Sequence, residues 1–301
     1  MLEPSDLFEV ESPLPPLGQP VLLEGMDGFI DAGGAKRIAT AELLAGPDAR
    51  VVARFDVDQL FDYRARRPAM VFSRDHWESY DDPQLAIYAV SDLDEVPFLV
   101  LAGMEPDVQW ERFAEAVRLL IDRFEVRVTV GLGAIPMAVP HTRPLGVIAH
   151  ATRPDLLTAH QAWVDTVQVP ASAGHLLEYR LGQTGHDAMG LAVHVPHYLS
   201  QTDYPAAAVR LLDAVSEATS LKLPTERLAE EAHTTQEAID SQVGQSPEVA
   251  EVVRGLESQY DLMMAGRENL LANDQSLPTA DELGAQFEHF LSQQAPKGDG
   301  S

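Results

Sequence analysis

Cysteine is absent from the 301 residues, which excludes disulfides, thiolate nucleophiles, Cys-ligated zinc and thiol redox switches. Lysine is almost absent: 18 of the 21 basic residues are Arg and 3 are Lys, against 47 Asp and Glu, for a formal net charge of −26. A chain this acidic has little with which to displace the counterions of a phosphate backbone, so nucleic acid is excluded as a partner. An anionic membrane surface is excluded for the same reason. Long apolar runs are missing too. The longest, Val96–Met104, falls far short of a membrane span. The first ten residues carry three acidic groups and no basic one, unlike the start of a signal peptide. The expectation is a soluble, cytoplasmic protein. No GxSxG elbow, HExxH pair, kinase signature or EF-hand loop occurs, so serine hydrolases, zinc proteases and kinases lack their carriers. No pattern requires a cofactor or a metal, and no residue stands out as catalytic.

The chain does have ordinary globular material, with 45% hydrophobic and 23% charged residues. Strands are expected at 21–24, 51–57, 69–73, 85–90, 98–102, 126–131, 147–150, 167–169 and 191–195. Helices are expected at 34–44, 108–124, 173–182 and 205–219. Trp110, Phe113, Val117, Leu120, Ile121 and Phe124 recur at helical spacing. Phe98-Leu99-Val100-Leu101-Ala102 is apolar on both faces, as buried parallel strands are. Strands separated by helices predict an α/β fold: a three-layer αβα sandwich with a mostly parallel central sheet spanning residues 20–223. Residues 1–19 are proline-rich, either a docking arm or a loose tail. Residues 224–294 read as a small helical C-terminal extension. Ser246-Pro247, Thr234…Glu237 and Thr279…Glu282 are its helix-start signals, and Val249, Val252, Val253, Leu256, Tyr260, Met263 and Met264 form one apolar stripe. Residues 295–301 are expected to be disordered.

Two glycine-rich segments follow strands, where ligands of open α/β sheets collect. The first, Gly25 to Gly34, contains Asp31, Gly33 and Gly34; it offers either a ligand loop or a tight turn with Asp31 capping the next helix. The second contains Gly131 and Gly133 and runs on to His141 and Arg143, a positive rim suited to a carboxylate or phosphate, or a structural ion pair. Glu105 and His197 also end strands, and Arg64 completes the candidate crevice. Asp62, Tyr63, Arg66 and Arg67 sit close together in an acidic chain and read as a subunit interface. His194 and His197, three apart on an extended segment, point to opposite faces and do not suit a metal.

Gly28-Phe29-Ile30-Asp31-Ala32-Gly33-Gly34, Phe61-Asp62-Tyr63-Arg64 with Arg67-Pro68, Gly103-Met104-Glu105-Pro106 and Val195-Pro196-His197-Tyr198 occur in this order. Together they resemble the proteasome assembly chaperone family, most of all its actinobacterial members with a helical C-terminal extension. The resemblance spans 20–223 and continues loosely through the helical tail. It implies an αβα core similar to the phosphorylase/hydrolase-like fold, self-association, and a non-enzymatic role with a second protein complex as a possible partner. Some archaeal relatives dock on proteasomes through a hydrophobic-Tyr-X end; residues 297–301, Lys-Gly-Asp-Gly-Ser, do not carry it. Two functions stay open: an oligomeric interaction scaffold, or a small-molecule hydrolase, phosphorylase or sensor binding an anion or nucleoside-like ligand in the crevice.

Overall fold

The computed structural model describes residues 2–157 and 166–272, the last seven of these as helix path alone. Thr279, Glu282 and residues 295–301, named above, lie outside the described residues. In chain order the elements are β1 (Phe8–Val10), β2 (Val21–Glu24), α1 (Ala35–Leu44), β3 (Arg50–Phe55), β4 (Met70–Ser73), β5 (His76–Tyr80), β6 (Leu85–Ser91), β7 (Pro97–Gly103) and α2 (Trp110–Arg123). They continue with β8 (Val128–Met137), β9 (Val147–Ala151), α3 (Ala173–Gln183), β10 (Ala188–Pro196), α4 (Pro205–Thr219), α5 (Glu226–Gln245) and α6 (Pro247–Ala272).

Eight strands form one sheet in the order β1-β3-β6-β7-β2-β8-β10-β9. The neighbours β7, β2, β8 and β10 are mutually parallel. Antiparallel strands extend both sides: β6, β3 and β1 on one, β9 on the other. Five strands thus point one way and β1, β6 and β9 the other, so the sheet is mostly parallel. Alternation along the strands feeds two apolar layers. Val21, Leu23, Phe98, Val100, Leu191 and Val193 pack with α1 and α4. Leu22, Leu99 and Leu101 pack on the other face with α2 and α3, where Phe113, Val117, Leu120 and Ile121 are the buried stripe of α2. That is the three-layer sandwich expected from two-faced apolar strands.

The first residues dock on this core. Leu7 is fully buried, and β1 pairs antiparallel with β3 through Phe8–Phe55, Glu9–Arg54 and Val10–Ala53. At the other end, α5 lies on α4 and buries Leu228 in the α1/α4 layer. Pro247 opens α6, and the Ser246 hydroxyl accepts from Val249 N at 3.4 Å. Thr234 and Glu237 do not start a helix. They lie inside α5, where the Thr234 hydroxyl bonds back to the Glu230 carbonyl at 3.2 Å. The C-terminal stripe buries Val253 but leaves Val249, Val252, Met263 and Met264 exposed.

Two expected elements change and one strand is added. The glycine-rich segment after β8 is not a loop: β8 runs to Met137, its backbone paired with β10 through Gly131–Gly190 and Gly133–Ala192. Val167–Val169 is not a strand; both valines are exposed ahead of Pro170, which has no donor for a ladder. His76–Tyr80 is a strand, paired with β4 around Arg74 at φ 56° as a hairpin apart from the main sheet. Among the described residues no helix is long and apolar enough to cross a membrane.

Candidate functional site

The C-terminal ends of β2 and β7 bring buried charges together. Glu24 ends β2, and its Oε1 accepts from Met26 N at 2.9 Å. Glu105 follows β7, and its Oε1 accepts from Ala173 N, the first residue of α3, at 2.5 Å. The positive end of that helix is therefore already occupied by a carboxylate of the chain. Lys36, in the first turn of α1, is 7% exposed, alongside Glu24 at 8% and Glu105 at 7%. Glycines let these groups approach the backbone. A Cβ on Gly174 would lie 2.5 Å from Glu24 Oε2, and one on Gly28 would lie 3.2 Å from Glu105 Oε2 and 3.6 Å from Lys36 Nζ. Burial pushes the Glu24 carboxyl up from its ordinary range, Lys36 and the Met26 amide pull it down, and Glu105 and Glu178 add to the rise. Asp27 is raised the same way, with Lys36 opposing. Beside them His150 Nδ1 pairs with Glu178 at 2.8 Å, which raises the His150 pKa, while burial lowers that of His175.

The residues expected to line one crevice divide into separate groups. Asp31, Glu105 and Gly131 lie around this cluster. Asp31 accepts from Lys36 N at 2.8 Å and Arg37 N at 3.0 Å, so its carboxylate caps α1. Gly131, within β8, would place a Cβ 3.7 Å from Glu24 Oε2, whereas Gly133 packs on Ala192. Gly33 and Gly34 make a left-handed turn (φ 66° and 59°); Gly33 N donates to Ser200 O at 2.9 Å and Gly33 O accepts from Tyr204 N at 2.8 Å. They join the α1 turn to the start of α4.

His141 and Arg143 do not form a positive rim. His141 is buried, with Nδ1 hydrogen-bonded to the Tyr198 hydroxyl at 2.6 Å and Nε2 to Asp240 of α5 at 3.2 Å. Arg143 Nε and Nη2 each donate to Asp261 of α6 at 2.8 Å, and Nη1 to Glu257 at 3.2 Å. That fork holds the guanidinium charged and lowers the Asp261 carboxyl. Tyr260 adds a bond to the Pro144 carbonyl at 3.1 Å. The segment is a latch for the C-terminal helices, so Arg143 is not free for an anion. His197, in the turn after β10, is exposed beside the Tyr198 ring. Arg143→Ala should leave the melting of the core near that of wild type while hydrogen exchange across Pro247–Ala265 speeds up. Mass-resolved exchange checks it.

Arg64 is exposed in the turn after β3; its backbone N donates to Asp62 at 2.9 Å, and no bond joins its side chain to the cluster among the described residues. Of the residues assigned to an interface, Arg66 pairs internally with Asp107 at 2.5 Å and Asp62 N donates to the same carboxylate at 2.9 Å. Tyr63 donates to Asp58 at 2.6 Å, which keeps its phenol protonated. Arg67 is exposed. Next to this turn stands the β4–β5 hairpin, with Met70, Val71, Phe72, Trp77 and Tyr80 exposed and Phe72 and Trp77 touching edge to face at 5.1 Å. Sequence reasoning missed Glu24, Lys36 and β5. The available signals were a lone Glu closing an apolar strand and one of only three lysines inside a helix.

The profile of the PAC2 family matches residues 25–243. No curated protein matches the chain. Among solved structures, the Mycobacterium tuberculosis protein of unknown function Rv2714 is 51% identical over 87% of this chain and 91% of its own, with a TM-score of 0.83. A Corynebacterium glutamicum protein of unknown function is 38% identical over 85% of this chain and 97% of its own, TM-score 0.81. The M. tuberculosis proteasome-assembly chaperone homologue Rv2125 shares the fold at 24% identity, covering 77% of this chain and 99% of its own, TM-score 0.69.

Proposed function

The chain belongs to the PAC2 family, and from that premise we propose that it is a non-enzymatic interaction scaffold that assembles with copies of itself in the cytoplasm. The core is 20–223, the arm 1–19 closes one sheet edge, and the extension from 224 is latched over the other face.

The β4–β5 hairpin carries this reading. Two strands alone are marginal in water, and here every β5 residue and three of the four in β4 are exposed. Trp77 at 62% and Phe72 at 56% exposure are the side chains that dominate protein interfaces when covered. The occupant is a second copy. The hairpin and the turn before it carry both signs, with Arg64, Arg67 and Arg74 exposed alongside Asp75, Glu78, Asp81 and Asp82. A chain of net charge −26 needs such a mixed rim to approach itself. The small-molecule reading for an anion has less support, since the helix end that would bind one holds Glu105.

Light scattering on the purified chain should give a mass that is a multiple of 32.9 kDa. Phe72→Ser/Trp77→Ser should return it to the single-chain mass with an unchanged far-UV spectrum, because neither ring enters the core clusters. A wild-type chain that stays at 32.9 kDa at about 10 µM overturns the reading.

A further inference from the structure

Lys36 is more than nine-tenths buried, and its ammonium acts at a distance on Glu24 and Asp27 without a hydrogen bond or a close ion pair to any described residue. It shares a small space with two carboxylate oxygens in the same condition. Glu24 Oε1 and Glu105 Oε1 have backbone partners, whereas their Oε2 atoms have none among the described residues. Lys36 Nζ and Glu105 Oε2 flank Gly28 without reaching ion-pair distance, so one small group between them would touch both. Gly28 is exposed, which opens the space to solvent.

The charges say what fits. The residues are buried, but these three atoms still reach water, and a ligand with matching groups would replace that water with direct bonds. Glu24, Glu105 and Asp27 gather around one ammonium, so the cluster carries an excess of carboxylate over cation. An anion would add to the excess, and a polyol would leave it uncompensated. A metal finds no cluster of ligating side chains among the described residues, and Lys36 would repel it. A group that carries an ammonium beside a carbonyl oxygen gives each of the three open atoms a partner.

We propose that Lys36, Glu24 and Glu105 bind an α-amino carbonyl group, either a free amino acid or the first residue of a peptide. Its ammonium donates to the two Oε2 atoms, and its carbonyl oxygen accepts from Lys36. Gly28, Gly131 and Gly174 keep the space clear, since a Cβ at each would stand 2.5 to 3.7 Å from these polar atoms. The inference uses none of the hairpin residues and stands whether or not the chain self-associates.

Titration calorimetry of the full chain at pH 6.5, where each free α-amino group is charged, tests it with alaninamide, alanine, alanyl-glycine and N-acetylalaninamide. Alaninamide should bind and its N-acetyl form, which lacks the cation, should not. Lys36→Met and Glu105→Gln should each weaken alaninamide about tenfold or more, the scale of a hydrogen bond to a charged group. Gly28→Val substitutes an exposed residue and should abolish binding by filling the space against Glu105 and Lys36, with the protein still folded by far-UV spectrum. Stronger binding of alanine than of alanyl-glycine assigns the free amino acid; the reverse assigns peptide ends. Silence of every amine up to about 10 mM, equal heats from the N-acetyl compound, or binding untouched by Gly28→Val overturns the site.

Discussion

Replacing Gly103 by alanine should lower the melting temperature by about 6 °C or more, the equivalent of about 3 kcal/mol. Two costs add. The residue sits at φ 121°, a conformation that L side chains rarely adopt, and a Cβ there would overlap the Gln84 carbonyl oxygen and stand 2.8 Å from Leu85 Cα. Those are backbone atoms, fixed because Leu85 and Gly103 are register partners at the end of the β6–β7 ladder. They cannot swing aside as a side chain would, so the ladder must part. Gly185→Ala is the control: φ is 79° but nothing lies within 4 Å of its Cβ, so only the backbone strain of about 1 kcal/mol remains. Thermal melts of the two variants decide the matter, and equal losses would remove the clash from the account. Because Glu105 follows two residues later, the Gly103 variant should also loosen the start of α3.

Glu24→Gln should stabilise the protein, and the gain should depend on pH. Burial raises the Glu24 carboxyl above its unfolded value, while Lys36 and the Met26 amide oppose the rise and Glu105 and Glu178 reinforce it. The folded state therefore binds its proton more tightly than the unfolded chain, where the group titrates near about 4.3. Between the two values the native state holds more protons, so stability falls as pH climbs through that interval and stays low above it. Each tenfold gain in proton affinity is worth about 1.4 kcal/mol. A glutamine keeps an acceptor for Met26 N and never ionises. Its melting temperature should exceed that of wild type at pH 8 and converge with it below about pH 4. A variant less stable than wild type at pH 8 would mean that Lys36 depends on the Glu24 charge.

Much of the architecture was legible because local signals agreed with global ones. Pro205 opens α4 and its apolar spacing carries it to Thr219, the bounds expected from the sequence. The doubly apolar Phe98–Ala102 lies in β7 at the centre of the sheet. What stayed hidden depends on distant partners. Nothing local to Arg143 reveals that Asp261 receives it 118 positions later, and a loop cation before a helical tail reads equally as a ligand rim or a latch. The motif that ends in Glu105 pointed to the right strand end, yet Glu24 closes a run whose other residues are all apolar and resembles a strand terminus. The hairpin was half seen, since β4 is apolar whereas His76-Trp77-Glu78-Ser79-Tyr80 is mostly polar and pairs only with its neighbour.

The position of β2 sets the order of events on the ribosome. Its four residues are buried between β7 and β8, but β8 begins at Val128, 104 residues after Glu24. At about 5–20 residues per second, the nascent chain waits roughly 5–20 s between making that strand and making its last neighbour. Until β7 is made Val21, Leu22 and Leu23 have no strand to pair with, and until β8 follows they are covered on one edge only. Meanwhile the antiparallel block of β3, β6 and β7 can assemble ahead of the parallel centre. The parallel centre closes late, through contacts of long sequence separation, which makes folding slow. Substitutions in β2 should therefore lower the yield of folded protein during synthesis more than they lower the melting temperature of what survives.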